Sequence, residues 1–279
     1  MMRSASSHKI LSVLLVFCIL ISGCARNSKS LNSSASSLET ELGNAIHQQI
    51  LQTALVYQEQ GLNEYVQNIG YRIAAQAHRK GLAYRFVILQ DDRIYATFAP
   101  GGYVYVTTGF FRFLKSEIEL AGILAYEIAA LQYQDPRLSR LKKSFELVLR
   151  TGSYVAPAFG AIGTLSVIGL ALVGAATSRE KSYLKRVEEA DQKAIQYLFQ
   201  SGYDPQGLLD PLYRMSDVRS PERAYLYDYL QSHPIDETRT EKLNAGFQKL
   251  SLENKQFEAG RALFLAKTEL VRNTLVRKS

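Results

Sequence analysis

The stretch "ILAYEIAALQ", residues 123–132, is apolar around its whole circumference and carries a single charge, Glu127. A helix that is apolar on all sides is typical of an element buried in a core. A carboxylate buried alone costs several kcal/mol unless another group pairs with it. The stretch therefore predicts a helix inside the fold, and Glu127 predicts a partner for its charge.

Most of the chain around this helix shows helical spacing. Glu39–Gln60 and Leu62–Arg79 carry apolar residues at the period of amphipathic helices, and the pattern resumes from about Ser116. A last helix is expected at Leu252–Val276, where Phe257, Phe264 and Val271 recur seven residues apart.

Two segments between these helices predict strands. "AYRFVILQ" at 83–90 and "GYVYVTT" at 102–108 are rich in aromatic and β-branched residues, and turn signals lie around them. A small antiparallel sheet is the simplest interpretation. We therefore expect an α+β fold, in which a mainly helical domain at 39–279 carries a small antiparallel sheet.

The N-terminus has the organisation of an export signal. Arg3 and Lys9 form a basic region, residues 10–21 are apolar, and "ISGC" at 21–24 ends on Cys24. An apolar residue, two small ones and a cysteine resemble the lipobox of bacterial lipoprotein precursors. That resemblance implies cleavage of a signal peptide at 1–23 and a lipid on Cys24, including palmitate. An ordinary secretory signal or a short membrane anchor is the alternative.

The lipobox also implies a place in the cell. Ala25 stands where an Asp would imply retention at the inner membrane, so the resemblance favours the outer membrane, facing the periplasm. Residues 24–38 are rich in Ser and predict a flexible tether. The chain after the leader holds 31 Lys and Arg against 26 Asp and Glu, a modest basic excess. Basic and aromatic residues do not cluster as in proteins that bind nucleic acid.

Cysteine use limits both crosslinks and metal ligands. The second cysteine, Cys18, lies in the leader, so the mature chain is expected to have no disulfide and no thiolate with which to bind a metal.

Residues 151–178 are uncharged and long enough to cross a bilayer. Their five Gly, one Pro and several Ser and Thr favour an apolar hairpin that lies on or dips into the membrane, and a transmembrane span is the alternative.

Five segments in order carry a family resemblance: "APGGYVYVTTGFF", "SEIELAGILAYEIAALQYQDP", the apolar hairpin, "VEEADQKAIQYLFQSGYDP" and "YLQSHPIDETR". Together they resemble the HtpX-like zinc metallopeptidases, which include the CAAX prenyl proteases and periplasmic quality-control proteases. The resemblance covers about residues 62–240 and implies a gluzincin-like domain. In that family an H-E-x-x-H helix supplies two His ligands and a general base, and a Glu on a later helix supplies the third ligand.

This chain departs from the family at each of the three ligand positions. Tyr126 and Ala130 stand where the two His belong, and Val187 stands where the Glu belongs. Ala and Val have no donor atom, and a phenol with a pKa near 10 is a poor zinc ligand at neutral pH. Glu127 remains at the position of the general base, and we expect it to be vestigial.

The large activation of water that zinc would supply is missing here, which favours a protein without zinc. Zinc lowers the pKa of bound water from about 16 to about 7, and its loss costs on the order of 12 kcal/mol in access to hydroxide. We therefore expect no cofactor and a lipid-anchored pseudopeptidase of the cell envelope that binds polypeptide clients or envelope partners. Two hypotheses stay open: an active metalloendopeptidase with unconventional ligands, acting in envelope quality control, and a purely structural protein whose cleft Tyr126 fills.

The resemblance also implies binding positions. The family's edge strand and turn lie beside an extended substrate. Gly101 and Gly102 match that turn here, and Tyr95 stands where the family has Asn. An open edge accepts a peptide whether or not cleavage follows, although these glycines could equally shape a plain hairpin. His233 and Arg239 match the family's His-Pro segment, and they are the first candidates for the partner of Glu127.

Overall fold

The computed structural model describes residues 37–79, 81–132, 180–217, 226, 229–230, 233–250, 257 and 259–274. The predicted leader, most of the predicted tether and the predicted hairpin at 151–178 lie outside the described residues. The elements in chain order are α1 (Ser37–Thr53), α2 (Gln60–Ala74), β1 (Arg85–Leu89), β2 (Ala96–Ala99), β3 (Tyr103–Thr107), α3 (Thr108–Phe113), α4 (Glu117–Gln132), α5 (Glu180–Gln200), α6 (Gln206–Asp217), α7 (Glu237–Gln248) and α8 (Arg261–Asn273). The predicted α+β class, mainly helical with a small sheet, is confirmed.

The sheet is mixed, with the strand order β1-β3-β2. β2 runs antiparallel to β3, with Ala96 opposite Val106, as expected. β1 runs parallel to β3, with Arg85 opposite Tyr103, so the expectation of a wholly antiparallel sheet is wrong at this pair. All five residues of the central strand β3 are buried, which fits a strand covered on both faces.

Helices cover the two faces of the sheet. On one face His47 of α1 stacks on Tyr103, with ring centroids 4.6 Å apart, and its Nδ1 lies 3.0 Å from the Tyr105 hydroxyl. On the other face the Tyr71 ring of α2 meets Phe86 of β1 edge-on at 5.6 Å. The sheet is thus held in the interior, and β2 lies at its edge.

Helix α4 occupies the centre of the molecule, as the apolar stretch predicts. Twelve of its sixteen residues are buried, and it packs against α5, α6, α2 and β2. The crossing with α6 depends on Gly122, because a Cβ there would lie 2.4 Å from the carbonyl oxygen of Gly207. The backbones of α4 and α6 therefore approach more closely than any larger side chain permits.

The last helix is shorter than the sequence predicts. Gly260 takes the left-handed conformation (φ 61°) at the N-cap, so α8 begins at Arg261 and Phe257 precedes it. Phe264 and Val271 are buried and pack α8 onto the domain. None of the described helices combines the length and the apolar character that a membrane span needs.

Candidate functional site

The three positions that would hold zinc lie on α4 and α5, two helices that pack against each other. Tyr126 and Val187 are buried, and Ala130 is half-buried. In the described part of the chain, no group of three or more His, Cys, Asp or Glu side chains could hold a metal ion. The family's zinc therefore does not fit the residues present.

Glu127 is fully buried, and its partner is His233. The Oε1 of Glu127 lies 3.2 Å from the Nε2 of His233. Within the described residues, neither oxygen of Glu127 makes a hydrogen bond, so the approach to His233 is a charge contact and not a hydrogen bond. The expected pairing with the His-Pro segment is thus present, and it is made by His233 itself.

The other ring nitrogen of His233 determines the chemistry of this contact. Its Nδ1 lies 3.1 Å from the carbonyl oxygen of Tyr229, an acceptor, so Nδ1 carries a proton. A neutral imidazole would then present a lone pair at Nε2 to the Glu127 carboxylate. The contact is therefore attractive only when the pair holds one further proton, which makes it neutral overall.

Two tyrosines fix the His233 ring. Tyr229 stacks on it with centroids 4.1 Å apart and planes at 14°, and Tyr126 meets it edge-on at 5.3 Å. Burial, and next the Glu127 carboxylate, raise the pKa of the Tyr229 hydroxyl well above its ordinary value, so this phenol stays neutral. Tyr229 begins the matched segment "YLQSHPIDETR", but it was not predicted to be a site residue.

Arg239 pairs with Asp191 rather than with Glu127. Its Nε and Nη2 donate to the two oxygens of Asp191 at 2.8 and 2.9 Å, and its Nη1 donates to the carbonyl oxygen of Pro234 at 2.9 Å. Burial alone would lower the pKa of Arg239, but the Asp191 carboxylate raises it above the ordinary value. The guanidinium also lies 5.1 Å from the centre of the Tyr126 ring. Asp191 and Arg239 thus form a buried fork-to-fork ion pair beside the former zinc position.

A cavity of about 180 Å³ opens beside this ion pair, between α5 and α7. Val187, Leu184 and Pro234 line its apolar wall, and Asp191 and Arg239 line its polar part. Further charged and polar residues, among them Lys185, Glu188, Thr238 and Lys242, also line it, so the cavity can take a small apolar group against its apolar wall only.

The edge of the sheet adjoins the same helix. Tyr95 accepts a hydrogen bond from the backbone of Thr107 at 3.0 Å, so alternate residues of β2 face β3 and the N–H and C=O groups of Ala96 and Phe98 face away. No described residue donates to or accepts from these outward backbone groups. Ala96 has zero exposure and Phe98 is half-buried, so in the described structure this edge is accessible to strand addition at Phe98.

The residues expected to contact a peptide divide into two groups. Gly101 and Gly102 form the turn after β2 at φ 77° and 94°, and Glu39 accepts the Gly101 N–H at 3.4 Å, so this turn is held in place. The Tyr95 side chain is only 1% exposed and packs edge-on against Tyr229, so it supports the site from inside and is not available to a peptide. Phe98, half-buried on the open edge, is the accessible side chain that the sequence did not single out.

The comparisons with known proteins are consistent with this architecture. The family model of peptidase family M48 matches residues 60–246, which is about two thirds of the chain. The chain belongs to peptidase family M48. The matched span includes the sheet, α4, α5 and most of α7, and so contains every position of the site described above.

Individual M48 relatives are bacterial and mitochondrial. The chain is 27% identical over 212 residues to the beta-barrel assembly-enhancing protease of Yersinia pestis and 25% identical over 217 residues to that of Escherichia coli K12, in each case over 72% of this chain and 42% of the relative. It is 23% identical over 171 residues to a mitochondrial metalloendopeptidase of Arabidopsis thaliana, over 61% of this chain and 33% of the relative. The chain thus spans about two fifths or less of the length of these curated relatives.

Proposed function

We propose that this M48 chain is a lipid-anchored pseudopeptidase of the bacterial envelope, which binds polypeptide clients or envelope partners without cleaving them. The observation that carries the proposal is the Glu127–His233 contact. A general base in a zinc peptidase needs an oxygen free to face a metal-bound water. Here the corresponding carboxylate has zero exposure and faces an imidazole, and Tyr126 packs against that imidazole.

The open edge of β2 supports the binding half of the proposal. Main-chain hydrogen bonds to Phe98 would give affinity for an extended chain with little sequence preference. The cavity beside Val187 offers room for a small apolar side chain. The beta-barrel assembly-enhancing proteases among the relatives support a role in the assembly or quality control of envelope proteins.

Metal content and cleavage test the absence of zinc chemistry. The full chain, purified without chelators, is expected to hold substoichiometric zinc and to leave unfolded casein intact. Stoichiometric zinc together with cleavage that EDTA stops would overturn the proposal and favour the active metalloendopeptidase with unconventional ligands.

A proline on the open edge tests client binding. Phe98→Pro removes an outward N–H while leaving the β2–β3 hydrogen bonds in place, whereas Phe98→Ala keeps the N–H and shortens the side chain. We expect Phe98→Pro to bind labelled unfolded casein at least roughly tenfold more weakly than Phe98→Ala, measured by fluorescence anisotropy. Equal binding by the two variants would count against strand addition. A photo-crosslinking residue that captures a client should also be placed at Phe98. The neighbouring Tyr95 and Tyr103 are unsuitable positions, because both are buried.

A further inference from the structure

Helix α8 presents an apolar stripe to solvent on the side away from its packing face. Phe264, Thr268 and Val271 are turned into the domain, at 2% exposure or less. Leu263 is 51% exposed and Leu270 is 58% exposed, and they lie on a different side of the helix. Leu263, Ala266 and Leu270, which we name the leucine face, follow the spacing of one helical stripe.

The helix that carries the leucine face is held rigidly at its C-terminal end. Arg112 donates to the carbonyl oxygens of Val271 and Thr274 at 3.2 and 2.5 Å. Arg272 donates in the opposite direction, to the carbonyl oxygens of Phe111 and Leu114 at 2.7 and 3.0 Å. These reciprocal contacts fix α8 against α3, so the leucine face is displayed in one orientation.

The charge beside the two leucines is positive. Lys267 is exposed and lies four residues after Leu263 and three before Leu270, so its ammonium adjoins both leucines. The acidic residue of α8, Glu269, lies three residues after Ala266, on the opposite border of the leucine face, and about 100° around the helix from Leu270. The whole chain has a formal net charge of +7.

The size of the leucine face limits what can cover it. Three residues over two turns cover about 10 Å of a helix that is about 10 Å wide, an area on the order of 100 Å². Specific protein interfaces bury far more, roughly 800 Å² per partner. A bilayer surface needs only shallow insertion of a few apolar side chains with a cation at headgroup level.

We propose that the leucine face of α8 docks on the surface of an anionic bilayer. This proposal rests on the proposed lipid on Cys24, which would hold the domain near the bilayer. The thirteen residues from Cys24 to Ser37 extend roughly 45 Å at most. The anchor keeps the domain within that distance of the bilayer, and the leucine face determines which side of the domain meets it. Leu263 and Leu270 enter the acyl boundary, and Lys267 contacts lipid phosphate.

A single tryptophan tests this orientation, because the chain contains no tryptophan of its own. Leu270→Trp puts the probe on the leucine face, and Tyr213→Trp puts it at a 41% exposed position on α6. The full chain of each variant is reconstituted into vesicles of phosphatidylglycerol and brominated phosphatidylcholine. We expect bromine to quench Leu270→Trp at least roughly twofold, with weaker quenching in high salt, and to leave Tyr213→Trp nearly unchanged.

The other outcomes distinguish this proposal from the proposed anchor. Vesicle flotation without quenching of Leu270→Trp would overturn the docking while leaving the anchor intact. A blue shift of Leu270→Trp without quenching would mean a protein partner or a second copy on this face, and would also overturn it. Mass spectrometry of the Cys24 peptide reports the lipid independently, so a missing lipid counts against the anchor even when quenching is observed.

Discussion

Glu127 has the residue type of the family's general base, but its surroundings are those of a structural carboxylate. Its carboxylate has zero exposure, and His233 lies 3.2 Å away with its own second nitrogen committed to a backbone carbonyl. In the described residues the pair is a polar link between α4 and the His-Pro segment. Removal of His233 leaves a buried carboxylate charge behind, whereas removal of the Glu127 charge does not. The two single changes are therefore expected to differ in their effect on stability.

We predict that His233→Ala lowers the free energy of unfolding by about 3–5 kcal/mol, because it leaves the Glu127 carboxylate buried without a partner. Glu127→Gln is expected to cost about 1 kcal/mol or less, since its amide can donate to the imidazole. Urea unfolding measures both. In the His233→Ala background, Glu127→Gln should restore stability, and a further loss there would contradict the charge argument.

The sequence was sufficient for those site residues that a motif marks. Glu127, His233 and Arg239 fall in matched segments, and the structure brings all three to one place. The sequence could not assign Arg239 to Asp191 instead of Glu127, because that choice depends on the side-chain geometry between α5 and α7. Tyr229 was missed because a stacked tyrosine leaves no spacing signal, and Tyr95 was misjudged because strand residues alternate between interior and edge.

At the level of elements, α4 and α5 carry the three positions that the family resemblance assigns to metal ligands. Positions 126 and 130 are one helical turn apart on α4, and position 187 lies on the neighbouring α5. A side chain suited to bind zinc is what each of these positions lacks.

We predict that the triple variant Tyr126→His, Ala130→His, Val187→Glu binds zinc, because it restores three donors on two packed helices. Purified without chelators, it should carry close to stoichiometric zinc by elemental analysis, whereas the native chain should not. The double variant that keeps Val187 is the control, and we expect it to bind zinc much more weakly. Absence of zinc from a folded triple variant would mean that the Tyr126 neighbourhood has moved away from the family's geometry.

The pairing of the strands is the part of the fold that the local sequence could not provide. β1 and β3 are recognisable from their aromatic and β-branched residues, but β1 pairs with β3 in parallel and β2 takes the edge. Strand order depends on contacts between distant segments, whereas residue type and period report only on local conformation.

We predict that Gly122→Ala destabilises the protein by about 1–3 kcal/mol or more, because the new Cβ would overlap the Gly207 backbone at the α4–α6 crossing. Gly246→Ala on α7 is a matched control. Its Cβ meets only the end of the Gln192 side chain, which can rotate away, so the gain in helix propensity should offset the contact. Urea midpoints compare the two, and equal losses would mean that helix propensity rather than the crossing is measured.

At the scale of the whole molecule, the interior contains many tyrosine side chains. They are accompanied neither by a metal-binding cluster among the described residues nor by a predicted disulfide. The sequence holds 17 Tyr, and buried ones lie in the sheet, in α4, in α5 and beside His233. A phenol whose pKa rises on burial binds its proton more tightly in the folded state than in the unfolded state. Its contribution to stability is complete below pH 10 and is lost as the pH rises from there towards the folded pKa.

Tyr84 provides the cleanest measurement of this effect. Burial raises the pKa of its hydroxyl, which has no hydrogen-bond partner among the described residues. Tyr84→Phe should therefore leave the free energy of unfolding unchanged or raise it at pH 7. At pH 11 the variant should be more stable than the native chain by about 1.4 kcal/mol, since only the native chain gains an ionisable phenol on unfolding.

Tyr203→Phe is the matched comparison for Tyr84. Burial raises the pKa of Tyr203 to about 12, but its hydroxyl donates to Glu117 at 3.1 Å. Its loss should cost about 1 kcal/mol at pH 7, and that cost should be gone by pH 11, where the raised pKa of the folded state lowers the stability of the native chain by about 1.4 kcal/mol. Urea unfolding at the two pH values gives all four numbers. A loss of stability in Tyr84→Phe at pH 7 equal to that in Tyr203→Phe would show that the Tyr84 hydroxyl does have a partner in the folded chain.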